Sequence, residues 1–221
     1  YRNRGVAWGA WLIVLALSST PVWAQALTDR IPQDPAIQTG RLQNGVTYLI
    51  RQNARPARRV SLRLAVKAGS IDEADDQRGL AHMLEHMAFK GTRTRSARAI
   101  AEDIENVGGS LNAYTGREIT AYHASVLKED VGLGLEMIAD ILRNSVFDPD
   151  ELQRERGVIL EELAAVEDSP DELASIALDG LLWPGQPHGR DIAGSPATVS
   201  SVSHERLRDY YRAQYVANAT V

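Results

Sequence analysis

Apolar and polar positions alternate over Val60–Lys67, with Val60, Leu62, Leu64 and Val66 on one side, which predicts a half-buried β-strand ended by Gly69-Ser70. Val46–Arg51 predicts another strand. It is entered through an Asn44-Gly45 hairpin signal behind a mostly polar lead over residues 27–40. Further on, the β-rich runs Ser110–Thr115 and Ile119–Leu127 flank a short turn at Gly116-Arg117 and predict a hairpin.

Between and after these runs the period changes to that of a helix. A helical pattern runs from about Gln77 to Phe89, after Asp75-Asp76 and before Gly91. Ser96 is placed to cap a second helix with Ile100, Ile104 and Val107 on one face and Gly108-Gly109 after it. Asp130–Asn144 is amphipathic. Asp148-Pro149-Asp150-Glu151 combines a capping Asp, a first-turn Pro and an acid three residues after the cap, so a helix to about Val166 follows. Ser169-Pro170-Asp171-Glu172 repeats the signal and opens a helix to about Leu182. Pro184–Gly194 reads as a loop and Ser203–Tyr211 as a last helix. Four strands and six helices, partly segregated along the chain, predict an α+β fold: a mixed or antiparallel sheet with helices packed on it.

Composition narrows the function. The chain has 221 residues, 44% hydrophobic and 24% charged, which suits a globular core. The net charge of −5 and the lack of a dense basic block argue against nucleic acid as a partner. Arg51, Arg55, Arg58 and Arg59 cluster between two strands and read as a solvated turn. With no cysteine, disulfides, thiolate metal ligands and cysteine nucleophiles are excluded, so any metal must use His, Asp or Glu.

The N-terminus has the pattern of an export signal. Arg2 and Arg4 precede an apolar run over Trp8–Ser18 that is short for a membrane span, and Val22-Trp23-Ala24 and Ala24-Gln25-Ala26 offer small residues at the spacing for cleavage after Ala24 or Ala26. The expected organisation is a signal peptide over residues 1–26 and one domain over 27–221. Contact with a membrane is then limited to the signal segment, and an exported protein is expected. Tyr1 at the start and the unfinished apolar stretch from Tyr215 suggest a fragment of a longer protein.

The chemistry is concentrated in His82-Met83-Leu84-Glu85-His86, inside the first predicted helix. Residues four apart share a helix face, so both imidazoles reach one ion. Glu85 lies near the same face and can touch a water without ligating the metal. Zinc suits imidazole and carboxylate donors, and a catalytic zinc needs three protein ligands and an open position. By spacing alone the third ligand stays open among His123, His188, His204 and the carboxylates Glu155, Glu161 and Glu162. Glu155 and Glu162 share a face of the helix that starts at Pro149. Val158 and Ile159 lie between them, which would be awkward unless something cationic sits opposite.

These pieces resemble the inverted-motif zinc peptidases typified by pitrilysin, insulin-degrading enzyme and the mitochondrial processing peptidase. The resemblance is carried by Gly79–Thr92, Leu111–Thr115 and Glu155–Glu162, and covers roughly residues 35–221. Together with the signal segment it implies an exported, periplasmic bacterial member, a half-domain of the pitrilysin and processing-peptidase type with one Zn2+ per chain held by His82, His86 and Glu162. It implies Glu85 as general base, Glu155 as an acid behind the site, and Asn112, Ala113, Tyr114 and Thr115 as a strand against which a peptide substrate lies extended. The implied activity is a zinc-dependent endopeptidase using metal-activated water, with a second homologous half in the missing chain or in a partner subunit. The alternative is a non-catalytic peptide-binding or assembly subunit of a related two-part peptidase. A lyase that pairs a similar motif with a cysteine is excluded by the composition.

Overall fold

The structure is a computed structural model that describes residues 32–221, so the expected signal segment over residues 1–26 lies outside the described residues. Strand β1 (Ile37–Arg41) pairs antiparallel with β2 (Thr47–Arg51) across a turn in which Gly45 N donates to Leu42 O at 2.9 Å. The sequence reads β1 as lead, because Ile37 is the sole apolar residue of Ile-Gln-Thr-Gly-Arg. Strands β3 (Arg59–Val66), β4 (Ser110–Thr115) and β5 (Thr120–Leu127) form an antiparallel sheet in the order β3-β5-β4. The alternation seen in the sequence sets the register: Leu64 and Ala113 both lie opposite Tyr122. Beside β3, Ala65 and Val221 exchange two backbone hydrogen bonds of 2.7 and 2.8 Å.

Among the described residues seven α-helices accompany the strands: α1 (Leu80–Ala88), α2 (Ala97–Glu105), α3 (Val131–Arg143), α4 (Pro149–Glu167), α5 (Pro170–Leu182), α6 (Pro196–Ser201) and α7 (His204–Gln214). The α+β expectation holds, with two corrections to the count, β1 and the short α6. The capping signals are real at Ser96, which accepts from Ala99 N at 3.2 Å, and at Asp148, which accepts from Asp150 N at 2.8 Å. Ser169 makes no side-chain cap bond, so Pro170 and the acids after it start α5 without it. Among the described residues no helix is long and apolar enough to cross a membrane.

Two cores meet at α1. On one side Met83 and Met87 pack with Ile159 and Leu163 of α4, Val199 of α6 and Leu207 of α7. On the other, Ala88 joins Ile100 and Ile104 of α2, Met137 and Ile141 of α3, and Tyr122 and Val126 of β5. Burying both flanks leaves only the face with His82, Glu85 and His86 half-buried.

Helix α1 starts three residues later than the sequence pattern suggests, because the backbone at Gly79 is left-handed, a conformation there that needs glycine. Gly79 has φ of +88°, and a Cβ there would come within 2.4 Å of Ala193 O. The first turn of α1 is then capped from outside the helix. The Glu73 carboxylate accepts from Gly79 N at 3.0 Å and from Ala81 N at 2.7 Å, which satisfies donors that a helix start leaves open.

Candidate metal centre

The half-buried face of α1 meets one face of α4. His82 Nε2 and His86 Nε2 lie 3.2 Å apart. Glu162 Oε2 lies 3.9 Å from His82 Nε2 and 3.7 Å from His86 Nε2. Among the described residues this is the one group of three or more metal-capable side chains, with ligand atoms all within 4.8 Å of one another. A tetrahedral ion with bonds of about 2.0–2.2 Å needs donors roughly 3.3–3.6 Å apart, so the set suits zinc after small movements of the exposed Glu162 side chain. Two imidazoles and one carboxylate leave a fourth position for water.

The environment prepares the donors. Burial first, and then the neighbouring His86, push the His82 imidazole down to about 4, so at neutral pH it is uncharged with a lone pair to give. Behind His86, Nδ1 meets Glu155 Oε2 at 3.0 Å, and the other oxygen of Glu155 meets Lys90 Nζ at 2.6 Å. A carboxylate behind Nδ1 keeps the ring proton there and turns the Nε2 lone pair toward the site. His82 Nδ1, by contrast, is buried with no hydrogen-bond partner.

Glu85 is held from the sheet. Thr115 Oγ1, at the end of β4, donates to Glu85 Oε2 at 2.5 Å. Burial raises the Glu85 carboxyl above its ordinary value, and the Thr115 hydrogen bond opposes that rise. Along β4 the exposed Asn112 and Tyr114 alternate with the half-buried Ala113 and Thr115, and the strand is at the edge of its sheet. The Gly116-Arg117 turn is clasped to α5 and the following loop: Arg117 donates to Asp179 at 2.5 Å and to His188 O at 3.0 Å.

The remaining candidates from the sequence fall elsewhere. His123 is in mid-β5 opposite Asn112, its ring beside Tyr114. His188 faces Glu118 and the Trp183 ring. His123, His188 and His204 are not in the metal-capable group, and Glu161 is exposed on another side of α4. The cation that the Glu155 face requires is Lys90, which the sequence shows only as a residue of the longer motif. Glu73 and the Thr115–Glu85 bond carry no signal that spacing alone could reveal.

The chain is similar to known proteins over most of its described residues. The model of the insulinase family, peptidase family M16, matches residues 48–195. A probable mitochondrial-processing peptidase subunit beta from Arabidopsis thaliana is 41% identical over 187 residues, covering 85% of this chain and 35% of that protein. An uncharacterized zinc protease from Rickettsia felis is 41% identical over 177 residues, covering 80% of this chain and 43% of that protein. The crystal structure of the periplasmic protease PqqL from Escherichia coli superposes with a TM-score of 0.80 at 32% identity, covering 86% of this chain and 22% of that one. The chain thus spans less than half the length of these relatives.

Proposed function

The chain belongs to the insulinase family of peptidases, family M16, and from that premise we propose that it carries the metal site of a zinc-dependent endopeptidase. His82, His86 and Glu162 hold the ion in this reading. The observation that carries it is their convergence from two helices, with the Glu85 carboxylate one residue from His86 and tied to an edge strand. Zinc supplies Lewis acidity there, acidifying water and polarising a carbonyl oxygen.

The chain's own residues do the rest. Glu155 orients the His86 ring. Glu85 takes the proton from the attacking water and passes it to the leaving amine. Residues Asn112–Thr115 offer an open backbone edge to an extended peptide. Backbone pairing reads any sequence, and contacts to the alternate side chains of the peptide add selectivity. The bond from Thr115 to Glu85 brings the end of that strand to the base, so a peptide added to β4 is led to the site.

Two relatives are at least twice as long as the aligned segment, which supports a second homologous half as the partner that closes over the peptide. One solved neighbour, PqqL, is a periplasmic protease, and export through residues 1–26 belongs to the same proposal. The test is Glu85→Gln in the full-length protein. Zinc content stays at one per chain, while cleavage of a quenched peptide falls by about 10²–10⁴-fold. Cleavage at the wild-type rate removes Glu85 from the chemistry.

A further inference from the structure

Glu155 is a carboxylate in a poor place for one. Its side chain is only 6% exposed, one turn from the fully buried Ile159, and such a group is stable there only when paired. Its two oxygens have separate partners. Oε2 meets His86 Nδ1 at 3.0 Å, and Oε1 meets Lys90 Nζ at 2.6 Å. Lys90 sits just past the C-terminus of α1, where its backbone N–H still bonds Met87 O at 3.2 Å and where a cation is favoured by the helix dipole. The short helix therefore supplies the ring, and the segment just past its end supplies, four residues on, the ammonium that grips the carboxylate behind it.

We propose that Lys90 is a positioning residue for the metal site: by holding one oxygen of Glu155, it aims the other at His86 and fixes that ring with Nε2 toward the ion. This rests on the metal-site reading above. The two imidazoles are unequally supported, since His82 Nδ1 is buried without a partner, so the rear of the site is braced through His86. Without Lys90 the carboxylate would lose its second anchor and could rotate away or recruit water. The His86 ring would then be free to flip or to change tautomer.

The sign of the effect separates this role from simple electrostatics. An ammonium near a cation site repels the cation, so on Coulomb grounds alone Lys90→Met should tighten zinc binding. The positioning role requires the opposite. In the full-length protein, zinc affinity is measured by competition with a chromogenic chelator for wild type, Lys90→Met, Lys90→Arg, Glu155→Gln and the Lys90→Met/Glu155→Gln double variant. Lys90→Met is expected to weaken zinc binding about 10–100-fold, as loss of a partner behind a ligand does. Arg, which can also grip a carboxylate, restores most of it. The double variant is no weaker than Glu155→Gln, because both changes remove one support. In the zinc-free protein, ¹⁵N chemical shifts of His86 show the Nδ1–H tautomer in wild type and a mixture in Lys90→Met.

Equal or tighter zinc binding by Lys90→Met overturns the inference and leaves the metal site standing. A fall in melting temperature of the zinc-free protein, with affinity and tautomer unchanged, assigns Lys90 to stability alone and likewise overturns it. Failure of the wild type to bind zinc stoichiometrically removes the metal-site reading and this inference together.

Discussion

Thr115 Oγ1 donates a 2.5 Å hydrogen bond to Glu85 Oε2, linking the last residue of the edge strand β4 to the carboxylate between the metal-capable histidines of α1. The strand end and the carboxylate cannot shift independently. A substrate strand laid on β4 and the base that serves it would then keep a fixed spacing, which is the kind of orientation that lowers a reaction barrier.

Replacing Thr115 by Val keeps the shape and the β-branch but removes the donor. Zinc content should be unchanged, and kcat for a quenched peptide should fall about tenfold with little change in KM. A rise in KM at constant kcat would place the role of Thr115 in peptide binding instead.

The cap of α1 gives a pH dependence. Burial pushes the Glu73 carboxyl up to about 7 from 4.5, against hydrogen bonds from Ala81, Gly79 and Leu80 that favour its charged form. The folded state thus holds this proton more tightly than the unfolded state. Its stabilising effect is complete below about pH 4.5 and is lost as pH rises through about 7. His82, lowered to about 4 from 6.5, has the opposite slope between those values, so the two partly cancel in the wild type. Glu73→Gln isolates the first. In EDTA, denaturant unfolding from pH 5 to 8 should show the wild type losing stability relative to Glu73→Gln as pH rises, by on the order of 3 kcal/mol. A constant difference between the two proteins would contradict the raised carboxyl.

The site depends on the packing between its helices. Ile159 is fully buried in the core cluster that includes Met83 and Met87, and lies between Glu155 and Glu162 along α4. Ile159→Ala should cost about 2–5 kcal/mol in chemical denaturation. It should also weaken zinc binding, because Glu162 reaches the histidines only while α4 keeps its seat on α1. Lost stability with unchanged zinc affinity would show that Glu162 does not depend on that seat.

Periodicity revealed the elements that bury one face. The alternation in Val60–Lys67 and the helical spacing around Ile100 and Ile104 both correspond to buried faces of β3 and α2. Strand β1 was hidden because it buries little and is held by its backbone pairing with β2, and α6 because six residues are too few to show a period. The histidine pair was legible because both residues lie on one helix. By spacing alone Glu162 was one of several carboxylates; the family resemblance singled it out, and the packing of α4 against α1 brings it to the histidines. Lys90 and Glu73 act through contacts between segments far apart in sequence or across a loop, which no local pattern encodes.

The central claim is that two imidazoles of α1 and one carboxylate of α4 hold a single ion. Anomalous diffraction at the zinc edge, from crystals of the zinc-loaded protein, tests it directly. One peak is predicted, about 2.0–2.2 Å from His82 Nε2, His86 Nε2 and a carboxylate oxygen of Glu162, whose atoms now stand 3.2, 3.7 and 3.9 Å apart. A peak bound elsewhere, or one that leaves Glu162 outside bonding distance, would contradict it.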